Sequence, residues 1–412
     1  MGEKIIITGT GTVNALGLNM QDTWENAKRG ISGVGYITQF DTSDFLVKFA
    51  CEVKDFQPER FMPGREVRRR DRYEHFASAA AQEAIQQAGF DINAGLKSQV
   101  GVIVSSAIGG LHSFEEASNA VFLEGPRRVS PFVIPMLMSN GAAGMIAIDY
   151  GFRGPCFSVA SACASGADGI GFAWMMLRAG TIDVAVAGGS EATISKVGVA
   201  AFDRIGALSR KELQPWQTPQ PFDLNRDGLV IGEGAAVLVL ERESHARSRG
   251  ANILAELAGY AATADAFHIT APAEDGEGGS RAILQALQSA GVNPDEVGYI
   301  NAHGTGTSLN DLAETRAIKS AFGSLSYRIP VSSTKSMTGH MMGATGALEA
   351  ILCVQAIREQ IIPPTINYQT PDPECDLDYV PNVARQKPIR VAVSNAFGFG
   401  GHNAVLVIRE YN

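Results

Sequence analysis

The chain has 412 residues, a length that corresponds to two or three domains of average size. Apolar residues make up 45% of it and charged residues only 19%, so a disordered chain is excluded. Glycine exceeds its usual share. The formal net charge of −9 argues against binding to nucleic acid or to an anionic membrane. Because so few residues are charged, we expect part of the surface to be buried in an oligomer.

The predicted elements alternate between short β-branched runs and alanine-rich segments of helical period, which indicates an α/β fold with largely parallel sheets. The predicted strands are Lys4–Thr8, Gln99–Ser105, Val184–Ala187, Ala235–Leu240, Gly298–Asn301, Arg328–Ser332, Arg390–Ser394 and Ala404–Ile408. The predicted helices are Arg72–Ala88, Ala164–Ala179, Gly279–Ala290, Leu309–Ala321 and Ala344–Glu359. Gly9 and Gly11 follow the first strand without the third glycine of a dinucleotide-binding motif, and we interpret them as part of a β-turn.

Three pairs of segments repeat in the same order along the chain. Each pair shares a pattern of helix, strand and glycine-containing loop, and the pairs begin at Ala79 and Ser280, at Ser158 and Val331, and at Asp183 and Arg390. The common order predicts two similar halves, residues 1–250 and 251–412. The first half contains the longer insertions.

The cysteines and the first residues of the chain bear on its location. The five cysteines, at positions 51, 156, 163, 353 and 375, show no short-spaced pattern, which argues against a disulfide framework and a Cys-x-x-Cys zinc site. The opening MGEKIIITGTGTV has a strand pattern and no secretion signal, and the uncharged run 131–148 is broken by polar residues and proline. We therefore expect a cytoplasmic protein without a metal site.

Cys163 is a candidate nucleophile. It lies in SVASACASGADG, where a strand pattern gives way to small residues and then to a helix. A thiol at such a turn is close to backbone N–H groups and to the positive end of the helix, which are expected to lower its pKa. By itself, a cysteine among alanines is more often a core residue.

Two histidines follow predicted strands of the second half: His303 in NAHGTGT and His340 in STKSMTGH. A duplicated α/β fold gathers the carboxyl ends of its strands, so we expect both imidazoles to meet Cys163. Lys335 lies shortly before His340 and supplies a positive charge. The glycines of NAFGFGG, which begins at Asn395, expose backbone N–H groups that suit an oxyanion hole.

Together, the motifs ACASG, NAHGTGT, STKSMTGH and NAFGFGGHN closely resemble the signature of the β-ketoacyl-acyl-carrier-protein synthases. The chain is most similar to the elongating class II type, and the resemblance extends from ITGTGTV to the final strand. Two positions depart from the family pattern: Ala396 stands where serine is frequent and His402 where threonine is frequent. Local details of the gating loop therefore stay open.

The resemblance implies a thiolase-like duplicated fold with five layers, α-β-α-β-α, and a decarboxylating Claisen condensation in type II fatty acid elongation. Cys163 would carry the acyl chain as a thioester, and His303 and His340 would stabilise the enolate of malonyl-acyl-carrier protein. The backbone N–H groups of Cys163 and Phe399 would form the oxyanion hole. No cofactor is implied, because the acyl-carrier protein brings the phosphopantetheine. A homodimer is implied, with strand Asp183–Ala187 or its neighbours pairing across a two-fold axis.

The family pattern also gives roles to residues around this centre. Lys335 would tune the two histidines and pair with Glu349. The remaining roles are pantetheine binding by Thr305 and Thr307, gating by Phe399, and a place at the acyl pocket for Ile108. Without the resemblance, these residues would be interpreted as loop caps, a buried ion pair and core side chains.

Two arginine clusters are candidates for binding an acidic partner. One lies between positions 65 and 72, and Arg127 and Arg128 form the other. In an acidic protein such clusters favour an acidic partner, although a solvated helix face with internal ion pairs explains them equally well. Because the family docks its carrier in this region, we expect Arg65, Arg68, Arg69 and Arg127 to bind acyl-carrier protein.

The same motifs bear on related classes of enzyme. A thiolase needs a second reactive cysteine near its C-terminus, whereas Cys353 and Cys375 lie in unrelated contexts. The initiating synthases use Cys-His-Asn, and a chain-length partner lacks the nucleophile. An aromatic-polyketide ketosynthase shares every catalytic motif and stays open. A non-catalytic acyl-carrier-binding scaffold with a structural cysteine, which belongs to a different functional class, also stays open.

Overall fold

The computed structural model describes residues 2–93, 95–211 and 214–411. Its strands are Ile5–Asn14 (β1), Gly35–Tyr36 (β2), Phe49–Ala50 (β3), Val100–Ser105 (β4), Cys156–Phe157 (β5), Val184–Ala192 (β6), Glu233–Arg242 (β7), Ala255–Ala264 (β8), Tyr299–Asn301 (β9), Val331–Ser332 (β10), Ile361–Ile362 (β11), Arg385–Gln386 (β12), Val391–Gly398 (β13) and His402–Arg409 (β14). Its α-helices are Met20–Lys28 (α1), Gly64–Val67 (α2), Arg72–Ala88 (α3), Leu111–Leu123 (α4), Val133–Leu137 (α5), Gly141–Tyr150 (α6), Ser165–Arg178 (α7), Lys196–Arg204 (α8), Glu243–Ser248 (α9), Glu277–Ala290 (α10), Ser308–Phe322 (α11), Lys335–Thr338 (α12) and Thr345–Glu359 (α13). Within the described ranges, no helix combines the length and the apolar character needed to cross a bilayer.

The main sheet has two ends that are built alike. From its middle outward, the strand order is β1, β7, β6, β4, β5 on one side and β8, β14, β13, β9, β10 on the other. On each side the inner neighbours are antiparallel and the outer neighbours are parallel. The matching order supports the proposed division near residue 250. The expectation of largely parallel sheets is wrong, because β14 returns directly beside β13 through a glycine-rich turn and β7 runs back beside β6.

The helices lie in three layers around the two ends of the sheet. Helices α7 and α13 occupy the middle and share one hydrophobic cluster with side chains from both ends, such as Ile5 and Leu406. Helices α3 and α6 pack with Val102 on one outer face, and α10 and α11 pack with Val393 on the other. The result is the layer order α-β-α-β-α, which confirms the predicted fold.

Gly9 and Gly11 lie inside β1, where helix α3 packs against the strand. A Cβ atom at Gly9 would lie 2.1 Å from the carbonyl oxygen of Ala84, and one at Gly11 would lie 2.1 Å from that of Ala80. The missing side chains therefore allow a close approach of the helix backbone to the strand. The β-turn interpretation of these glycines is wrong.

The edges of the sheet decide where a second chain could add a strand. Strand β6, which contains the segment Asp183–Ala187 except for its first residue, is hydrogen-bonded to β4 on one side and to β7 on the other. It has no free edge, so β6 itself does not pair across a two-fold axis. The expectation also allowed the strands near β6, and that part stays a prediction. The outermost strand on this side is β5, and its Cys156 is exposed.

Candidate active site

A tight turn before helix α7 presents Cys163. Ala162 has a φ of 51°, in the left-handed region, and the helix begins at Ser165. The Ser165 hydroxyl accepts a hydrogen bond from the Ser161 N–H at 2.9 Å and donates to the Ala162 carbonyl at 2.6 Å. Cys163 thus lies next to the N-terminus of a helix, where the sequence pattern placed it.

The Cys163 thiol is protonated at rest. Burial raises its pKa to about 11, while the backbone N–H of Phe399 and the charge of Lys335 act in the opposite direction. The sequence-based expectation of a lowered pKa is wrong, because the residue is only 8% exposed and the loss of water penalises the thiolate more than these groups stabilise it. The thiol proton must therefore leave as the sulfur reacts.

His303 and His340 lie side by side. Their ring centroids are 5.3 Å apart and their planes are nearly perpendicular, at 84°. Burial and the charge of Lys335 hold the pKa of both imidazoles well below the usual range, so both are neutral at physiological pH. The Nδ1 atom of His340 is 3.1 Å from the Thr345 hydroxyl. Each neutral ring has one N–H group that can donate a hydrogen bond.

Glu314 on helix α11 holds the loop that contains His303. Its carboxylate accepts hydrogen bonds from the backbone N–H groups of His303 and Gly304, both at 2.7 Å, and from the Asn395 side chain at 3.0 Å. Burial raises the pKa of Glu314 to about 7. Glu314 and Thr345 are not predicted from the sequence. An acidic residue on the buried face of the predicted helix 309–321 was the available signal for Glu314.

Lys335 and Glu349 form a buried ion pair. The Lys335 Nζ is 2.5 Å from the Glu349 Oε1, and each side chain is 1% exposed. Burial raises the pKa of Glu349 to about 8, against the opposing effect of Lys335. The ion pair agrees with the pairing predicted from the sequence, and the Lys335 charge lowers the pKa of both histidines and of Cys163.

The turn between β13 and β14 lies over the nucleophile. The backbone N–H groups of Phe399 and Cys163 lie near the Cys163 thiol and act to lower its pKa. Gly400 and Gly401 have φ values of 84° and 73°, which favour glycine, and the Gly400 N–H donates to the Ile269 carbonyl at 2.7 Å. The Phe399 side chain packs in the same hydrophobic cluster as Cys163. Two backbone N–H groups therefore lie beside the thiol.

One cavity of about 300 Å³ joins these groups. The predicted residues that line it are Cys163, His303, His340, Phe399, Thr305 and Thr307. The hydroxyls of Thr305 and Thr307 are 2.9 Å apart. Ile108 does not line this cavity, since it lies on the loop after β4 and is 40% exposed. Across the described residues, no group of three or more His, Cys, Asp or Glu side chains is arranged to hold a metal ion.

The predicted docking arginines lie outside the cavity. Arg65, Arg68, Arg69 and Arg127 are exposed. Glu66 lies 3.1 Å from Arg65 and 3.4 Å from Arg69, so two of these charges are partly neutralised. The Arg69 guanidinium is 4.9 Å from the ring of Phe132, which brings the first arginine cluster close to the segment that follows Arg127.

Comparison with known proteins agrees with this geometry. Residues 2–246 match the model of the "Beta-ketoacyl synthase, N-terminal domain" family, and residues 254–369 match that of the C-terminal domain. The chain is 46% identical to a 3-oxoacyl-[acyl-carrier-protein] synthase 2 of Synechocystis sp. over 409 residues, which cover 99% of this chain and 98% of the relative. The enzyme of the same name from Staphylococcus aureus strain COL is also 46% identical, with 99% of each chain covered.

Solved structures of the same kind superpose closely. One match comes from the structure of a type II polyketide acyl-carrier protein in complex with its ketosynthase bound to the hexaketide. The TM-score is 0.93 and the identity 35%, with 100% of this chain and 100% of the matched chain covered. A β-ketoacyl synthase from Burkholderia phymatum matches with a TM-score of 0.93 and 33% identity, again over 100% of both chains.

Proposed function

Because the chain belongs to the β-ketoacyl synthase family, we propose that Cys163, His303 and His340 carry out the decarboxylating condensation of malonyl-acyl-carrier protein with a cysteine-bound acyl chain. The enzyme is an acyltransferase of type II fatty acid elongation, and its product is 3-oxoacyl-acyl-carrier protein. It uses no cofactor of its own, since the phosphopantetheine arrives on the carrier. The observation that carries the proposal is the cavity in which a thiol, two neutral imidazoles and two backbone N–H groups meet.

The first half-reaction loads the acyl chain. The Cys163 sulfur attacks the acyl-pantetheine thioester and gives up its proton, while the pantetheine sulfur leaves as a thiol. The N–H groups of Cys163 and Phe399 lie beside the thiol and stabilise the oxyanion of the tetrahedral intermediate. Phe399 packs beside the sulfur, so it acts as a gate that must move to admit the chain.

The second half-reaction uses the histidines. When malonyl-acyl-carrier protein enters, its carboxylate leaves as CO₂ and the electron pair of the broken bond forms a thioester enolate. His303 and His340 donate hydrogen bonds to the enolate oxygen, each through the one N–H that its neutral ring retains. The enolate carbon then attacks the Cys163 thioester, the carbon–sulfur bond breaks, and the Cys163 thiolate that is released takes up a proton from water. Thr305 and Thr307 line the same cavity and bind the pantetheine arm.

The function is tested with purified protein, malonyl-acyl-carrier protein and a series of carrier proteins loaded with acyl chains of different length. Formation of 3-oxoacyl-carrier protein after each single condensation supports fatty acid elongation. Repeated condensation to unreduced polyketides supports the second candidate, an aromatic-polyketide ketosynthase, which the similarity to a polyketide ketosynthase structure favours. Absence of both products would support a non-catalytic scaffold. Identity of 46% to the fatty acid enzymes against 35% to that structure favours elongation.

The functional unit is a homodimer. The segment from α4 to α6 exposes large apolar side chains, among them Phe122 at 85%, Leu123 at 82%, Ile148 at 72% and Ile134 at 62%. Such a patch next to the open edge of β5 is suited to a second copy of the chain. The second copy would also cover Ile108 and complete the acyl pocket. Light scattering at micromolar concentration is expected to give twice the chain mass of 43.6 kDa, and a particle of the single mass would contradict the dimer.

The carrier protein is the second partner, and the exposed arginines are its docking surface. Replacing Arg65, Arg68 and Arg69 by glutamate is expected to weaken binding of acyl-carrier protein, because these side chains attract an acidic partner. Charges of this kind are screened over ~8 Å at physiological salt, so the wild-type affinity falls as salt rises and the variant affinity stays nearly constant. Self-acylation by small acyl thioesters is expected to stay unchanged. A cytoplasmic location follows from this partner.

The control for the charge reversal is Arg247→Glu. Arg247 is also exposed and pairs with a glutamate, Glu243, but it lies on α9, away from the arginine cluster. Steady-state turnover measured against carrier concentration at several salt concentrations compares the variants. Identical salt profiles of wild type and triple variant would assign the cluster to a solvated helix face, and Arg127 and Arg128 would be tested next.

A further inference from the structure

A buried carboxylate, Asp168, lies in the first turn of helix α7, close in sequence to Cys163. One of its oxygens accepts a hydrogen bond from the Ser161 hydroxyl, and the other accepts one from the Tyr260 hydroxyl at 2.7 Å. Ser161, Asp168 and Tyr260 are 7%, 7% and 8% exposed. Three buried polar side chains thus connect strand β8 of the second half to the residue two positions before Cys163.

This connection holds a strained turn. Ala162, between Ser161 and Cys163, has a left-handed φ of 51°, which residues with a Cβ rarely adopt and which neighbouring contacts must maintain. The hydrogen bonds of Ser165 to this turn are local to helix α7. The contact through Asp168 to Tyr260 instead anchors the turn to the central sheet, where β8 pairs with β14.

The position of Tyr260 is fixed by packing on the same helix. A Cβ atom at Gly171 would lie 2.4 Å from the Tyr260 ring, so the ring occupies space that only glycine leaves free. Burial raises the pKa of Asp168, while the hydrogen bonds from Ser161 and Tyr260 lower it. The Tyr260 hydroxyl therefore meets the Asp168 carboxylate at a defined point, one helical turn from Gly171.

We infer that Asp168 is a positioning residue for acyl transfer: anchored by Tyr260, it holds Ser161 and with it the turn that directs the Cys163 sulfur at the acyl thioester. The inference rests on the proposed role of Cys163 as the nucleophile. The two histidines have other partners: Glu314 accepts a hydrogen bond from the backbone N–H of His303, and the Thr345 hydroxyl lies next to the His340 ring. Asp168 therefore affects the rate of acyl transfer to Cys163 and not the rate of malonyl decarboxylation.

The test measures the two half-reactions separately. Mass spectrometry monitors the single-turnover acylation of Cys163 by a carrier protein loaded with an acyl chain. Decarboxylation of malonyl-carrier protein is measured in a Cys163→Gln background. Asp168→Ala is expected to slow acylation at least about tenfold, since small displacements of a reacting group are costly, and to leave decarboxylation within about twofold. Asp168→Asn is expected to restore most of the rate, because its amide can still bond both hydroxyls.

Tyr260→Phe removes only one hydroxyl and keeps the ring against Gly171. If Asp168→Ala does not fold, this variant tests whether the anchor positions Cys163 for acyl transfer. It is expected to slow acylation severalfold without changing decarboxylation. Equal losses in both half-reactions, or no loss in either, would assign the three side chains to fold stability alone. A wild-type enzyme that never becomes acylated at Cys163 would overturn the nucleophile assignment instead, which distinguishes the two failures.

Discussion

Replacing Cys163 by alanine is expected to abolish condensation while the protein stays folded. The thiol is the atom that carries the acyl chain, and loss of a nucleophile of this kind lowers turnover on the order of 10⁴-fold or more. The change removes one buried sulfur beside a cavity, so the fold is preserved. Formation of 3-oxoacyl-carrier protein is measured, with Cys375→Ala as the control, since Cys375 is also buried and does not line the cavity.

The glutamine variant separates the two half-reactions at the same position. In Cys163→Gln, the side-chain amide imitates the acylated cysteine, and its oxygen can accept the hydrogen bonds of the Cys163 and Phe399 N–H groups. We expect this variant to lose condensation and to retain or raise the decarboxylation of malonyl-carrier protein, measured as released CO₂. Full condensing activity in either variant would show that Cys163 is not the nucleophile.

Removing either imidazole is expected to lower decarboxylation about 10²-fold or more, the loss typical of one oxyanion donor. The depressed pKa keeps both rings neutral, so each ring has one N–H that stabilises the enolate. His303→Ala and His340→Ala each delete one of these N–H groups. The loading of Cys163 uses backbone N–H groups as its oxyanion hole and is expected to suffer less.

The histidine variants need a control for truncation itself. His245 is half-buried, pairs with Glu241 and does not line the cavity, so His245→Ala should leave both half-reactions unchanged. Acylation rates and CO₂ release are compared for all three variants at the same temperature. If His303→Ala and His340→Ala lowered both half-reactions equally, the imidazoles would have a structural role.

The residues that react could be found from the sequence because each lies in a short local motif. Cys163 follows a strand pattern and precedes a helix, and His303 and His340 each follow a strand of the second half. Helix α3 has its predicted bounds, since Asp71 caps its N-terminus and Gly89 ends it with a left-handed φ of 62°. Local chemistry of this kind is visible without knowledge of the fold.

Other features depend on contacts between distant segments. Strand β8 was not predicted, because alanines and a glycine dominate its sequence and only its place between β1 and β14 makes it a strand. Glu314 supports His303 from another helix, and although the helical pattern puts this acidic residue on the buried face, nothing in the local sequence indicates that its carboxylate binds the His303 loop. The Cys163 pKa was predicted in the wrong direction for the same reason, since burial outweighs the favourable local groups.

The thin junction between β1 and β8 has a consequence for folding. The two ends of the sheet meet there through Ile6 and Ile7 paired with Glu256 and Ala255, yet α7 and α13 share one core with both ends. Either half on its own would expose the apolar side of its central helix to water. The repeated units therefore form a single cooperative folding unit, and heating should give one transition in which the core and the catalytic cavity are lost together.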